Sequence, residues 1–235
     1  AVNVAVYTKR YEEKSSYIGW VGNDKFGYKI ITELAEKGIN TSHIHTKQGK
    51  TAVTCVELNN NERVLGAFDE GVMTNFYLSA SDIGFILTHN VVHAGIWGHV
   101  ENNMKFFNKK GMITSFDFAD CWDSPLWNML PLHVKYCFAS SDNDTTNLRK
   151  KMKKAYDIGK NTIIVTLGAQ GSILYNGDCF LTQKALNVNA IDTMGAGDSY
   201  IAGFLNGVIS HKSLRKCMEL GTINASITVQ YHGAW

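Results

Sequence analysis

The sequence predicts one α/β domain of the doubly wound kind. Three observations predict it. Short β-branched runs alternate with helical patterns of about ten to fifteen residues along most of the chain, the pattern of βαβ units around a parallel sheet. Strand-to-helix turns recur, while only two prolines interrupt 235 residues. A hydrophobic share of 45% against 19% charged residues is enough to bury one sizeable core.

The elements follow in order. Residue 1 is Ala, and 2–12 enters an apolar helical pattern at once, so the natural chain is expected to begin upstream of Ala1. Strands are expected at 16–21, 91–93, 112–116, 134–139 and 162–167, with a strand-like lead at 187–191. Further helices are expected at 25–37, 101–110, 145–158, 197–211 and 213–231. One stretch breaks the alternation. Residues 43–46, 51–58 and 63–67 read as extended pieces, and Asn59-Asn60-Asn61 is a turn signal joining the second to the third. This β insertion at about 43–68 is read as a lid over a ligand crevice, the alternative being an edge extension of the main sheet.

Composition removes several function classes. A formal net charge of +2, without a basic stripe or acidic tail, argues against nucleic acid and membrane surfaces as partners. Cys55, Cys121, Cys137, Cys179 and Cys217 are scattered and odd in number, so free thiols are expected rather than a zinc site or a disulfide framework. No stretch has the apolar length of a membrane span and the start is no signal peptide, so the expected location is cytoplasmic.

The chemistry is concentrated at 192–199. Asp192-Thr193-Met194-Gly195-Ala196-Gly197-Asp198-Ser199 leads into an apolar helix carrying Ile201, Ala202, Phe204 and Leu205. Gly195 and Gly197 let the backbone approach a ligand, and the N–H groups at the start of a helix attract an anion. Each such exposed charge interaction is worth roughly 0.3–1 kcal/mol, more where water is excluded. Phosphoryl transfer places its charge on the γ-phosphoryl oxygens, where such a cradle acts. Asp198, beside an anion hole, is misplaced as an anion binder and well placed as a base for an attacking hydroxyl. The competing reading is an N-capping Asp on a glycine-rich turn.

The octet, extended through Tyr200-Ile201-Ala202-Gly203-Phe204, resembles the C-terminal motif of the PfkB-type, ribokinase-like sugar kinases. Trp20-Val21-Gly22-Asn23-Asp24-Lys25-Phe26-Gly27 is similar to that family's early G-x-D-x-F-G segment, and Gly38-Ile39-Asn40-Thr41-Ser42-His43 to the approach to its lid. Thr166-Leu167-Gly168-Ala169-Gln170-Gly171 is similar to its nucleotide-side turn. Val92-His93-Ala94-Gly95-Ile96-Trp97-Gly98-His99, Phe116-Asp117-Phe118 with Trp122–Trp127, and 230–235 resemble the branch of the family that phosphorylates fructosamines.

The resemblance implies a three-layer α/β/α sandwich with a small β lid, over a single domain of 1–235 that lacks the family's first strand. It implies ATP-dependent phosphorylation of the 6-hydroxyl of a fructosamine, the Amadori product of glucose and lysine. Asp198 would be the base, and the Gly195, Ala196 and Gly197 amides the anion hole. Thr166, Gly168 and Gly171 would line the nucleotide, with Asn224 packing near the adenine and Asn3 contacting the sugar. Mg²⁺ would accompany ATP, held largely through phosphates and water. A monovalent cation and a homodimer formed through the β lid are further expectations. The family's mid-chain Asn-x-x-Glu is replaced here by Ser140-Ser141-Asp142-Asn143-Asp144, so no Mg²⁺ ligand is assigned. The alternatives are another sugar or nucleoside kinase of the same family, or a non-catalytic ligand-binding fragment.

Weaker signals remain open. His93 and His99 flank Trp97, which suits a sugar pocket in which Trp97 faces a ring and His99 offers a hydrogen bond; a metal site or a packed loop are the alternatives. Asp117, Asp120 and Asp123 lie near a strand end, either as solvated carboxylates or with one of them paired to a cationic amine of the substrate. Arg149, Lys150, Lys151, Lys153 and Lys154 read as a solvated helix face.

Overall fold

The computed structural model describes residues 1–59 and 62–235, with 56–59 and 62–65 described by backbone alone. In chain order the helices are α1 (Val2–Thr8), α2 (Lys25–Glu36), α3 (Ala80–Ile86), α4 (Glu101–Lys109), α5 (Thr146–Gly159), α6 (Ala196–Ile209) and α7 (Leu214–Thr228). The strands are β1 (Ser16–Gly22), β2 (Asn40–Lys47), β3 (Val53–Asn59), β4 (Glu62–Asp69), β5 (Val91–Gly95), β6 (Ile113–Asp117), β7 (Tyr136–Ser140), β8 (Thr162–Thr166), β9 (Ser172–Tyr175) and β10 (Phe180–Gln183).

Helix starts follow side-chain chemistry. Asp24, Ser79, Thr145 and Ser213 each accept a first-turn N–H, satisfying donors that the helix itself leaves unpaired. Asp24 does more. It accepts hydrogen bonds from both the Thr51 hydroxyl (2.6 Å) and the Thr51 amide (2.8 Å), which ties α2 to the approach to β3. Those bonds hold its carboxyl down at about 2. The early glycine-aspartate segment is therefore a structural joint at the root of the β3–β4 arm.

The main sheet has six strands in the order β10-β9-β8-β7-β6-β5. β5 through β8 run parallel, and β9 and β10 extend the sheet antiparallel. Alternation along the strands divides the core in two. Cys137, Ala139, Ile163 and Val165 pack against Met104 and Phe107 of α4 and Leu148, Met152 and Ala155 of α5. Tyr136, Phe138 and Ile164 pack on the other face against Val4 and Tyr7 of α1, with Tyr200, Phe204 and Leu205 of α6 and Met218 of α7. Helices on both faces of a mainly parallel sheet make the expected α/β/α sandwich.

Three expectations change. Residues 187–191 form no strand; instead the amides of Ile191 and Asp192 donate to Val229 O at the end of α7, which fixes the segment without a sheet neighbour. Residues 43–46 belong to β2, which pairs in parallel with β1, so this piece is not part of an antiparallel patch. α3 and the β9–β10 hairpin went unread because seven- and four-residue elements are too short to show a period. β3 and β4 pair antiparallel as a separate two-stranded sheet, while Asn60 and Asn61 of the turn signal lie outside the described residues. All five cysteines are free thiols. Among the described residues no helix is long and apolar enough to cross a membrane.

Candidate active site

The centre is the start of α6. Asp192 folds the preceding turn, its Oδ1 accepting from the Met194 amide at 3.0 Å. Gly195 occupies the N-cap with φ +76°, and a Cβ there would lie 2.5 Å from the Tyr7 hydroxyl, so both backbone and space demand glycine. Gly197 differs: a Cβ would meet nothing within 4 Å, so this position faces open space. The Ala196 amide donates to Thr193 O at 3.1 Å. Among the described residues the amides of Gly195, Gly197 and Asp198 have no hydrogen-bond partner. Of the three amides expected to form an anion hole, those of Gly195 and Gly197 are open, that of Ala196 closes the turn, and the neighbouring Asp198 amide is open as well.

The Asp198 side chain caps no helix N–H, which disfavours the capping alternative. Its Oδ2 accepts from Asn3 Nδ2 at 2.8 Å. A partly exposed carboxylate thus stands in the same first turn of α6 as three open N–H groups, and the Gly197 position beside it faces open space.

The ends of β5 and β6 form the other wall. Asp117, half-buried, accepts the Ala119 amide at 2.9 Å. Burial first, and then the nearby Asp198 charge, push its carboxyl up to about 6. Asp120 is exposed, and Asp123 is fully exposed with Lys151 3.9 Å away, whereas Asp117 is half-buried and feels the Asp198 charge. His93 Nδ1 bonds Ser115 Oγ at 2.9 Å, while its Nε2 is buried without a partner. Burial pushes that ring down to about 3, leaving it neutral.

His99, at φ +52°, has its Nε2 3.4 Å from Glu70 Oε2 but without the alignment of a hydrogen bond. Trp97 is about half-exposed. Two buried imidazole nitrogens without hydrogen bonds are what a polyhydroxylated ligand would satisfy.

On the nucleotide side, Thr166 ends β8 with its hydroxyl 3.4 Å from Ala139 O. Gly168 faces open space, and Gly171 has φ +99° with Gln183 O where a Cβ would sit. Asn224 is buried between α7 and α6, donating to Ser199 O (2.8 Å) and accepting from Arg10 Nη1 (2.8 Å). That amide holds the two helices and Arg10 together.

The sequence profile of the pfkB family carbohydrate kinases matches residues 1–95 and 134–235. This chain belongs to that family. A fructoselysine 6-kinase of Shigella flexneri is 48% identical over 235 residues, which span all of this chain and 90% of that one. A fructosamine kinase of Bacillus subtilis is 30% identical over 241 residues, covering all of this chain and 84% of the relative. The ribokinase of Arabidopsis thaliana complexed with ribose and ATP shares the fold, with a TM-score of 0.88 at 20% identity over 99% of this chain and 81% of the other.

In this PfkB carbohydrate kinase the mid-chain acidic residues split. Asp144 is engaged by Arg149 through two bonds of 2.8 and 2.6 Å, whereas Asp142 is exposed. Sequence reading gave no role to Glu70, which stands beside His99, and passed over Arg10, whose Nη1 reaches Asn224 and Thr228 from the turn after α1. Nothing local marks either, since each acts across a long separation. Among the described residues, the one trio of His, Cys, Asp or Glu side chains close enough to share an ion is His43, His45 and Asp82. Asp82 Oδ1 lies 2.7 and 2.9 Å from the two rings, the lengths of hydrogen bonds. Ligands around a tetrahedral zinc with bonds near 2.0 Å would stand about 3.3 Å apart. The trio clamps β2 to α3.

Proposed function

We propose that this kinase transfers the γ-phosphoryl group of ATP to the 6-hydroxyl of a fructosamine, with fructoselysine as substrate. The observation that carries it is the placing of Asp198, held by Asn3, in the same first turn of α6 as the open amides of Gly195, Gly197 and Asp198. The fructosamine kinases among the relatives support the substrate class. The ATP-bound ribokinase of the same fold supports the donor.

The hydroxyl oxygen forms its bond to the γ-phosphorus as the bond from that phosphorus to the β-phosphate oxygen breaks. The hydroxyl proton passes to the Asp198 carboxylate, and ADP leaves. A positioned base of this kind contributes about 10²–10⁴-fold. Charge on the γ-phosphoryl oxygens meets the open amides and the positive end of α6. Gly168 and Gly197, where the backbone faces open space, leave room for the phosphates. Mg²⁺ would accompany the triphosphate and neutralise part of its charge.

On the sugar side Asn3 has a second N–H to offer a hydroxyl, and Trp97 and His99 take the ring. Asp117 pairs with the amine that distinguishes a fructosamine from fructose. With its carboxyl near 6, Asp117 is charged above that pH and neutral below it. The KM for fructoselysine therefore rises as pH falls through about 6, while the KM for fructose stays level. Equal pH dependence for the two sugars would remove Asp117 from that role. A panel of fructoselysine, fructose, ribose and a nucleoside, assayed by coupled detection of ADP, tests the substrate. Fructoselysine gives the highest kcat/KM, and faster turnover of fructose or ribose defeats the reading.

A further inference from the structure

The last three residues fold back over the active-site turn. The Gly233 amide donates to Asp192 Oδ2 at 2.7 Å, so the carboxylate that shapes the glycine turn also anchors this segment. Ala234 O accepts from the Tyr7 and Tyr231 hydroxyls. A Cβ on Gly195 would come 3.1 Å from Ala234 Cβ, so the segment lies directly on the turn. The Trp235 ring packs against the cluster of Ala5, Val6, Leu34 and Ile39, with the Lys37 ammonium 5.2 Å above it.

Held this way, Trp235 Nε1 donates to Asn3 Oδ1 at 2.7 Å, and Asn3 Nδ2 donates to Asp198 Oδ2 at 2.8 Å. An amide turned by half a revolution exchanges its oxygen and its NH₂. In that orientation Asn3 would present oxygen to the Asp198 carboxylate, a repulsive contact. An indole N–H only donates, so it accepts one orientation of the amide and rejects the other.

We propose that Trp235 is a positioning residue for Asp198, acting through the side-chain amide of Asn3. The proposal rests on Asp198 being the base. Trp235 selects the Asn3 orientation in which a donor faces the carboxylate, and this fixes the oxygen that takes the hydroxyl proton. The strap from Gly233 to Trp235 also joins that orientation to the turn carrying the anion hole, because Asp192 and Gly195 touch both. Base and anion hole are thereby held in one frame.

The test is a double-mutant cycle on the purified protein with Trp235→Phe and Asn3→Ala, reading kcat, KM and melting temperature. Trp235→Phe keeps an aromatic ring and removes the donor. It lowers kcat about tenfold, the effect of one hydrogen bond to a charged group's partner, with the KM for ATP unchanged. In the Asn3→Ala background the same substitution changes kcat by less than about twofold, since the relay is already cut.

Trp235→His, which retains a ring N–H, recovers part of the loss. A normal kcat in Trp235→Phe overturns the proposal. So does a full tenfold loss repeated in the Asn3→Ala background, or a loss explained by unfolded protein at the assay temperature. Near-normal turnover in Asp198→Asn would defeat the base assignment itself. An inactive Asp198→Asn beside a normal Trp235→Phe defeats the relay alone.

Discussion

Asp198→Asn lowers kcat by about 10²–10⁴-fold while ATP still binds. The substitution preserves the shape of the side chain and its place on α6. It removes the capacity to take a proton from the attacking hydroxyl. The open amides of Gly195, Gly197 and Asp198 are backbone groups and survive the change, so the phosphates keep their cradle. The loss therefore falls on the chemical step, and the KM for ATP moves little. Steady-state kinetics with a direct measurement of ATP binding separate the two quantities. Turnover near that of the parent would remove Asp198 as the base and leave the anion hole as the site's main contribution.

Gly197→Ala is the second large effect, and its contrast with Gly195→Ala makes it informative. A Cβ at Gly197 meets no protein atom within 4 Å, so the fold accepts the methyl and the melting temperature stays close to that of the parent. The methyl enters the space assigned to the phosphoryl group. A displacement of about 1 Å costs on the order of 10²-fold in rate. At Gly195 the same methyl would lie 2.5 Å from the Tyr7 hydroxyl on a backbone with φ +76°, so Gly195→Ala loses stability as well as activity. Melting curves beside kcat/KM distinguish the two variants. A fully active Gly197→Ala would place the phosphate elsewhere.

What the sequence made legible was local. The proposed base and its proposed cradle lie within one short segment between Asp192 and Ser199, so residue types at short spacing were sufficient to suggest them. The alternating sheet and helix pattern was legible for the same reason. The partner of the base was not. Asn3 and Asp198 stand 195 positions apart, and Asn3 and Trp235 stand 232 apart, so only the folded chain shows that the three share one hydrogen-bond chain.

Turn closure was also invisible. No spacing rule reveals that Thr193 O occupies the Ala196 amide and leaves that of Asp198 open. Choosing Asp117 over Asp120 and Asp123 required burial, since all three look alike as carboxylates after a strand. The segment at 187–191 misled because β-branched, apolar residues near a sheet read as strand, whereas its amides are satisfied by the end of α7.

The most direct test is the position of the new phosphate. Incubation of the protein with ATP, Mg²⁺ and fructoselysine, followed by ¹³C and ³¹P NMR of the product, reads that position from carbon–phosphorus coupling. The account predicts ADP and a single sugar product with phosphorus coupled to C6. Phosphate on any other carbon, or release of ADP without a phosphorylated fructosamine, would contradict it.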